Sequence, residues 1–221
     1  MTNAIYIRHS VADLEFEEVH RRLVDCGRNP RDKAYASTMC TTGMRATESI
    51  RFEEDHIDFE RGTLTIVHLK QKSKLKCPGC GGILGKRHLF CPSCGKKVDN
   101  AIREKVEQRR ERVIPLDGET LDLLRCYLEW RHQFPYRGPL LFPFSRVRGW
   151  QLVRKIGRRA GIEGLHPHSL RHLLATTWVA KGLDIKKLQL MLGHASIATT
   201  MEYVDSNFEQ LRNEYDKLWG K

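Results

Sequence analysis

Apolar residues along this chain recur mostly at the three- and four-residue spacing of helices packed on a core. Phe16, Val19, Leu23 and Cys26 mark a first helix, opened by Ser10 and Asp13 and closed at Gly27. After the Asn29-Pro30 turn, a second helix runs from about Arg31 to Gly43. Leu121, Leu124 and Leu128 mark another from Gly118, broken by Pro135, Gly138 and Pro139. Gln151 to Ala160 forms the next, with Val153, Ile156 and Ala160 inward. Pro167 opens a helix carrying Leu170, Leu173, Leu174, Thr177 and Trp178, and Gly182 stops it. Asp184 caps Ile185 to Leu192, which ends at Gly193. Ser196 or the Thr199-Thr200 pair opens a short turn from which Tyr203 projects. Ser206 and Glu209 form a capping box for a terminal helix with Phe208, Leu211, Tyr215, Leu218 and Trp219 on one face. That face serves either the chain's own core or a neighbouring protomer. Alternation of apolar and polar residues appears at Gly62 to Leu69, a strand, with Arg112 to Pro115 as its return partner. Leu140 to Phe142 reads as a short extended segment. The predicted class is α+β, mainly helical, with a small antiparallel sheet.

Between the two strands the character of the chain changes. Lys70 to Arg112 holds 13 Lys/Arg against 4 Asp/Glu, so +9 of the chain's net +11 lies there. Such a surplus is either a solvated loop or a contact for a polyanion, and nucleic acid is the favoured partner because neutralised phosphates release counterions. With 221 residues, the chain has room for one substantial core and a small appendage. It has no apolar run of eighteen residues and no signal-peptide pattern, which points to an intracellular, cytoplasmic protein with no membrane partner.

Within the basic segment lie Cys77-Pro78-Gly79-Cys80 and Cys91-Pro92-Ser93-Cys94, ten residues apart. This is the spacing of two knuckles closing one tetrahedral zinc site. Two disulfides or a redox pair are the weaker alternatives. Four protein ligands leave no open position, so the predicted metal, Zn2+, is structural and not catalytic. His88, between the knuckles, could replace a cysteine as ligand, but a surface residue is the favoured reading. Cys26, Cys40 and Cys126 read as small core residues.

The chemistry-bearing residues concentrate near the C-terminal end. His168 and Arg171 lie one turn apart at a helix start, where unpaired backbone N–H groups favour an anion. His194 follows Gly193, and Tyr203 comes nine residues later. Far upstream, Arg45 and Glu48 share a helical face as a held guanidinium or a plain surface pair. Arginine forks match phosphate geometry, and donors fixed around the nonbridging oxygens supply most of the rate in phosphodiester cleavage. Arg154, Lys155, Arg158 and Arg159 form a further basic face, read as phosphate contacts in preference to solvated charges.

The segments Pro167-His168-Ser169-Leu170-Arg171-His172, Leu192-Gly193-His194, Thr199-Thr200-Met201-Glu202-Tyr203 and Thr42-Gly43-Met44-Arg45-Ala46-Thr47-Glu48 resemble, in order, the motifs of the tyrosine recombinase (phage integrase) family. The resemblance covers most of the chain from about Val11. It implies a catalytic domain over 1–221, a zinc-ribbon module inserted in its hairpin over 71–109, and no N-terminal core-binding domain. It implies site-specific DNA strand cleavage and rejoining by Arg45, His168, Arg171, His194 and the nucleophile Tyr203, through a 3′-phosphotyrosyl intermediate. A lysine protonates the departing oxygen, and Lys70 matches best, with Lys72 and Lys74 as competitors. No catalytic metal and no nucleotide are implied. The implied partners are double-stranded DNA and other copies of the chain, a tetramer when active. Relaxation of DNA in the manner of a type IB topoisomerase, or a catalytically silent zinc-ribbon DNA-binding protein, are the alternative functions.

Overall fold

A computed structural model describes residues 9–10, 14–67, 75–85, 88–98, 111–135, 138–194 and 196–203. The chain divides into two compact units, one of residues 1–66 with 112–221 and the other of residues 67–111.

The larger unit is built on helices. α1 (Phe16–Asp25) and α2 (Pro30–Thr42) pack on each other, and α2 packs in turn on α4 (Gly118–His132). The starts of both later helices are fixed by side-chain caps. Asn29 accepts from the Asp32 amide at 2.9 Å, and Asp117 from the Thr120 amide at 2.9 Å. Between the layers, Tyr35, Met39, Leu124 and Tyr127 are almost wholly buried, each such side chain being worth roughly 1.5–3 kcal/mol. A buried polar chain, His20 to Ser37 to Thr120 to Asp117, ties the same three helices together.

After the single turn of α3 (Ala46–Ser49), the strands β2 (Ile57–Asp58), β3 (Thr63–Val67) and β6 (Glu111–Pro115) form a sheet in the order β2-β3-β6. Leu64, Ile66 and Ile114 alternate into the core. β3 leads out to the second unit and β6 returns from it. α5 spans Arg146–Arg159, beginning five residues before the predicted Gln151, because Ser145 caps it by accepting from the Arg148 amide. Val153, Ile156 and Ala160 face inward as expected. α6 (Pro167–Ala180), α7 (Ile185–Leu192) and the short α8 (Ala198–Met201) complete the unit. Among the described residues, no helix is long and apolar enough to cross a membrane.

Two further expectations fail. Ser10 does not open a helix, because β1 (His9–Ser10) pairs in parallel with β7 (Ile162–Glu163), and α1 starts only at Phe16. Cys126 is exposed, since Leu124, Tyr127, Leu128 and Arg131 take the inward face of α4 and turn it outward.

In the smaller unit, β4 (Leu75–Lys76) and β5 (Ile83–Leu84) form an antiparallel pair. Among its described residues, Cys77, Leu84, Cys91 and Val98 make a buried cluster.

Candidate active site

α6 begins with a cap that the sequence does not announce. His166 Nδ1 accepts from the Ser169 amide at 3.1 Å, and Ser169 Oγ accepts from the His166 amide at 2.9 Å. His168 stands exposed on this first turn, its ring stacked on His166 at a 6.4 Å centroid separation. Burial, then the neighbouring His168 and Arg154, push His166 below the ordinary histidine value. One turn on, Arg171 is only 4% exposed. Its Nη1 donates to the Gly43 carbonyl at 2.6 Å and its Nη2 to the Leu192 carbonyl at 2.7 Å.

Leu192 is one of three successive acceptors. Arg112 Nε donates to Met191 at 2.8 Å, Arg171 to Leu192, and Arg45 Nη2 to Gly193 at 3.1 Å. The carbonyls of a helix's last turn have no partner within the helix and carry its negative dipole end. α7 spends them on three guanidinium groups drawn from β6, α6 and the start of α3. Gly193 ends α7 in the left-handed region (φ 65), and Gly43 ends α2 the same way (φ 57). Both turns aim their carbonyls at arginines.

Among the described residues, the acid beside these arginines is Glu48, which is buried. Its two oxygens accept from Arg112 Nη1 and Nη2 at 3.1 and 2.8 Å. The same oxygens accept from Arg45 Nη1 at 3.1 Å and the Arg45 backbone amide at 2.8 Å. Burial alone would push the Glu48 carboxyl up, but the Arg112 fork and then Arg45 more than reverse this and hold it at about 2. The plain surface pair is therefore excluded. Arg171 is lowered to about 10 by burial and then by Arg45. Among the described residues, three cations against one carboxylate leave the cluster a place for an anion.

His194 follows the α7 turn. Burial, then Arg171, Arg45, Arg112 and His168, hold it down to about 4, so it is neutral at pH 7. Its Nδ1 lies 2.9 Å from the buried Thr200 Oγ1 on α8. Tyr203, 4% exposed, packs with Ala175, Val179, Leu188 and Leu192. Its ring stacks on His194 at 6.1 Å and meets His172 edge-on at 5.1 Å.

Arg45, Arg171, His194 and Tyr203 thus converge around the end of α7, with His168 on the first turn of α6, one turn before Arg171. Lys70, Lys72 and Lys74 lie outside the described residues, as does the expected helix from Ser206. Sequence reading gave no part in the site's chemistry to Arg112, Thr200, His166 or His172. Only an arginine in a strand otherwise alternating inward could have flagged the first. On α5, Arg154 lies over the exposed Trp150 ring at 4.8 Å, and Arg159 is partly buried.

In the smaller unit, Cys77, Cys80, Cys91 and Cys94 bring their sulfurs within 4.8 Å of one another. Two backbone turns of one design hold them. The Gly81 amide donates to the Cys77 carbonyl and the Gly95 amide to that of Cys91, at 2.8 and 2.9 Å. The Cys77 and Cys91 amides donate to Gly82 and Lys96, each at 2.8 Å. Gly79 N–H donates to Cys77 Sγ at 3.4 Å and holds that thiol below its ordinary value. The Cys77–Cys94 and Cys80–Cys91 Sγ separations are both 3.6 Å. A disulfide needs ~2.05 Å, whereas a tetrahedron with Zn–S bonds of about 2.3 Å has edges of ~3.8 Å. The residues fit a four-thiolate metal site, and His88, engaged with the Gly85 amide, is not part of it.

The model of the phage integrase family matches residues 94–210. The tyrosine recombinase XerD of Bifidobacterium longum is 32% identical over 186 residues, 84% of this chain and 53% of that protein. The chain spans about half the length of the curated relatives it matches. A crystal structure of XerA recombinase superposes with a TM-score of 0.66 at 24% identity, covering 96% of this chain and 65% of that one. The XerH site-specific recombinase bound to its palindromic difH substrate, a post-cleavage complex, gives 0.62 at 21%, covering 99% and 55%. The fold is that of tyrosine recombinases.

Proposed function

Because the chain belongs to the phage integrase family, we propose that it is the catalytic domain of a site-specific tyrosine recombinase, with Tyr203 as nucleophile. The observation that carries the reading is the set of arginines fixed on successive carbonyls of α7 beside His194 and Tyr203. Arg45 and Arg171 bind the nonbridging oxygens of one phosphodiester and stabilise the charge that grows on them in the transition state. Neutral His194 gives a third hydrogen bond from Nε2 in the tautomer whose Nδ1 accepts from the Thr200 hydroxyl, 2.9 Å away. Tyr203 passes its proton to His168 as its oxygen bonds to phosphorus. The bond to the 5′-oxygen breaks, and that oxygen takes a proton from a lysine, with Lys70, Lys72 and Lys74 the candidates. The 3′-phosphotyrosyl bond keeps the energy of the broken one, so a 5′-hydroxyl reverses the steps and rejoins a strand.

The four cysteines hold zinc, which supplies the folding energy of the 71–109 module and takes no part in the chemistry. The +9 surplus between Lys70 and Arg112 supports this module as a grip on duplex DNA, as the basic face of α5 does for phosphates. DNA as substrate places the action inside the cell, with further copies of the chain assembled on the duplex.

The test is covalent capture from a randomised pool of nicked duplexes. The expected result is a detergent-stable adduct whose DNA-bearing peptide contains Tyr203. No adduct would leave a silent DNA-binding protein. Relaxation of a supercoiled plasmid by the monomer, with no exchange of strands, would favour a topoisomerase.

A further inference from the structure

We propose that Arg112 is a positioning residue of the strand-cleavage site, holding Glu48 so that Arg45 keeps its aim at phosphate. The inference rests on the reading of Arg45 as a phosphate donor. Arg112 itself is no candidate for touching substrate. Its side chain is 7% exposed, and all three of its nitrogens are engaged, Nε with Met191 and the fork with both oxygens of Glu48. Its work is therefore indirect.

Glu48 faces two arginines of unequal standing. Arg112 takes the carboxylate in a two-pronged grip, the strongest geometry available to an arginine. Arg45, whose side chain is 37% exposed, receives one prong through Nη1 and anchors Nη2 on Gly193 instead. A buried carboxylate stripped of its main partner must find another or take up a proton. Without Arg112, the nearest cation among the described residues is Arg45, already in contact. The pair would close into a two-pronged bridge of its own, drawing Nη2 off Gly193 and turning the guanidinium inward. Arg45 then leaves its place, although no atom of the site proper has been changed. Lysine at 112 would keep the charge but lose the fork and the third anchor.

Two measurements on the full chain test this. The first follows the Arg45 Nε–H resonance during titration with inorganic phosphate, and needs no target sequence. The second is single-turnover cleavage of a duplex recovered by covalent capture on the wild-type chain. In Arg112→Met the phosphate response of Arg45 should vanish, and cleavage should slow about 10- to 100-fold, a fraction of the loss of a whole transition-state donor. Duplex affinity should stay within about threefold, since phosphate contacts elsewhere carry it. Arg112→Lys should lie between, and it decides the matter if Arg112→Met fails to fold. Adding Glu48→Gln to Arg112→Met should restore part of the rate, because no carboxylate remains to capture Arg45. A folded Arg112→Met with cleavage and Arg45 response like wild type would overturn the proposal. So would a double variant no faster than the single one, which is what a purely architectural role predicts. If wild type forms no adduct with any duplex, the cleavage reading falls, and the phosphate titration alone decides the role of Arg112.

Discussion

Arg171 donates from its Nη1 to the carbonyl of Gly43, 128 positions earlier in the chain, at 2.6 Å. That carbonyl is aimed by a left-handed residue, and a Cβ at position 43 would lie 3.0 Å from Leu174 Cδ2. Gly43→Ala should therefore cost about 1–2 kcal/mol from backbone conformation alone. It should slow strand cleavage as well by moving the anchor. Thermal unfolding and single-turnover cleavage on the captured duplex check the two effects together.

Tyr203→Phe should abolish the covalent adduct while leaving duplex affinity and melting temperature nearly unchanged. The ring keeps its place among Ala175, Val179, Leu188 and Leu192, and only the phenolic oxygen is lost. An adduct that persists in this variant removes Tyr203 as nucleophile.

Arg45→Lys and Arg171→Lys should both cut the cleavage rate by roughly 10²–10³-fold, the worth of one transition-state donor. They should part company in stability. Arg171 is buried and joins two backbone carbonyls, so lysine there should cost about 1.5–3 kcal/mol for each charged hydrogen bond lost. Arg45 is half-exposed, and its replacement should leave the unfolding midpoint close to wild type. Equal melting temperatures for the two variants would contradict the burial argument.

Glu48 should make the larger unit acid-sensitive over a defined window. Its folded value of about 2 lies below the ordinary 4.5, so the stability it contributes is complete above pH 4.5. It is lost as the pH falls from 4.5 through 2, by on the order of 3 kcal/mol in all. Denaturant unfolding at a series of pH values should show this slope in wild type and a shallower one in Glu48→Gln.

Removing metal should melt the cysteine-bearing unit and spare the helices. Among the described residues of this unit the buried cluster is Cys77, Leu84, Cys91 and Val98, little core without a metal cross-link. Mass spectrometry should find one zinc per chain, and a chelator or the pair Cys91→Ser, Cys94→Ser should remove it. Duplex affinity and its salt slope should fall with it, while far-ultraviolet helix content stays. Metal-free protein as purified, or an unchanged salt slope, would refute the assignment.

The helices were legible because their apolar spacing is written locally, and so was the Asp184 cap, which accepts from an amide two residues on. The caps at Asn29, Asp117, Ser145 and His166 are just as local but went unread. The candidate site was legible as a list, since Arg45, His168, Arg171, His194 and Tyr203 lie in recognisable segments. The way it is held together was not. Arg112 meets Glu48 across 64 positions and Met191 across 79, and nothing near residue 112 encodes either partner. The same holds for Ser10, whose capping pattern is local but whose strand partner, Glu163, lies far along the chain. Cys126 was misplaced for a different reason, because cysteine's common burial outweighed its position on the outer face of α4.

The triple acceptor at the end of α7 makes the site depend on something no residue identity records. Met191, Leu192 and Gly193 serve through their backbone oxygens, so a side-chain scan across the first two would pass over these contacts. What they need is phase. Each residue advances a helix by about 100°, so one residue inserted or deleted between Asp184 and Met191 would swing all three oxygens away from their arginines. The chain should tolerate many spellings of this helix and few changes in its length.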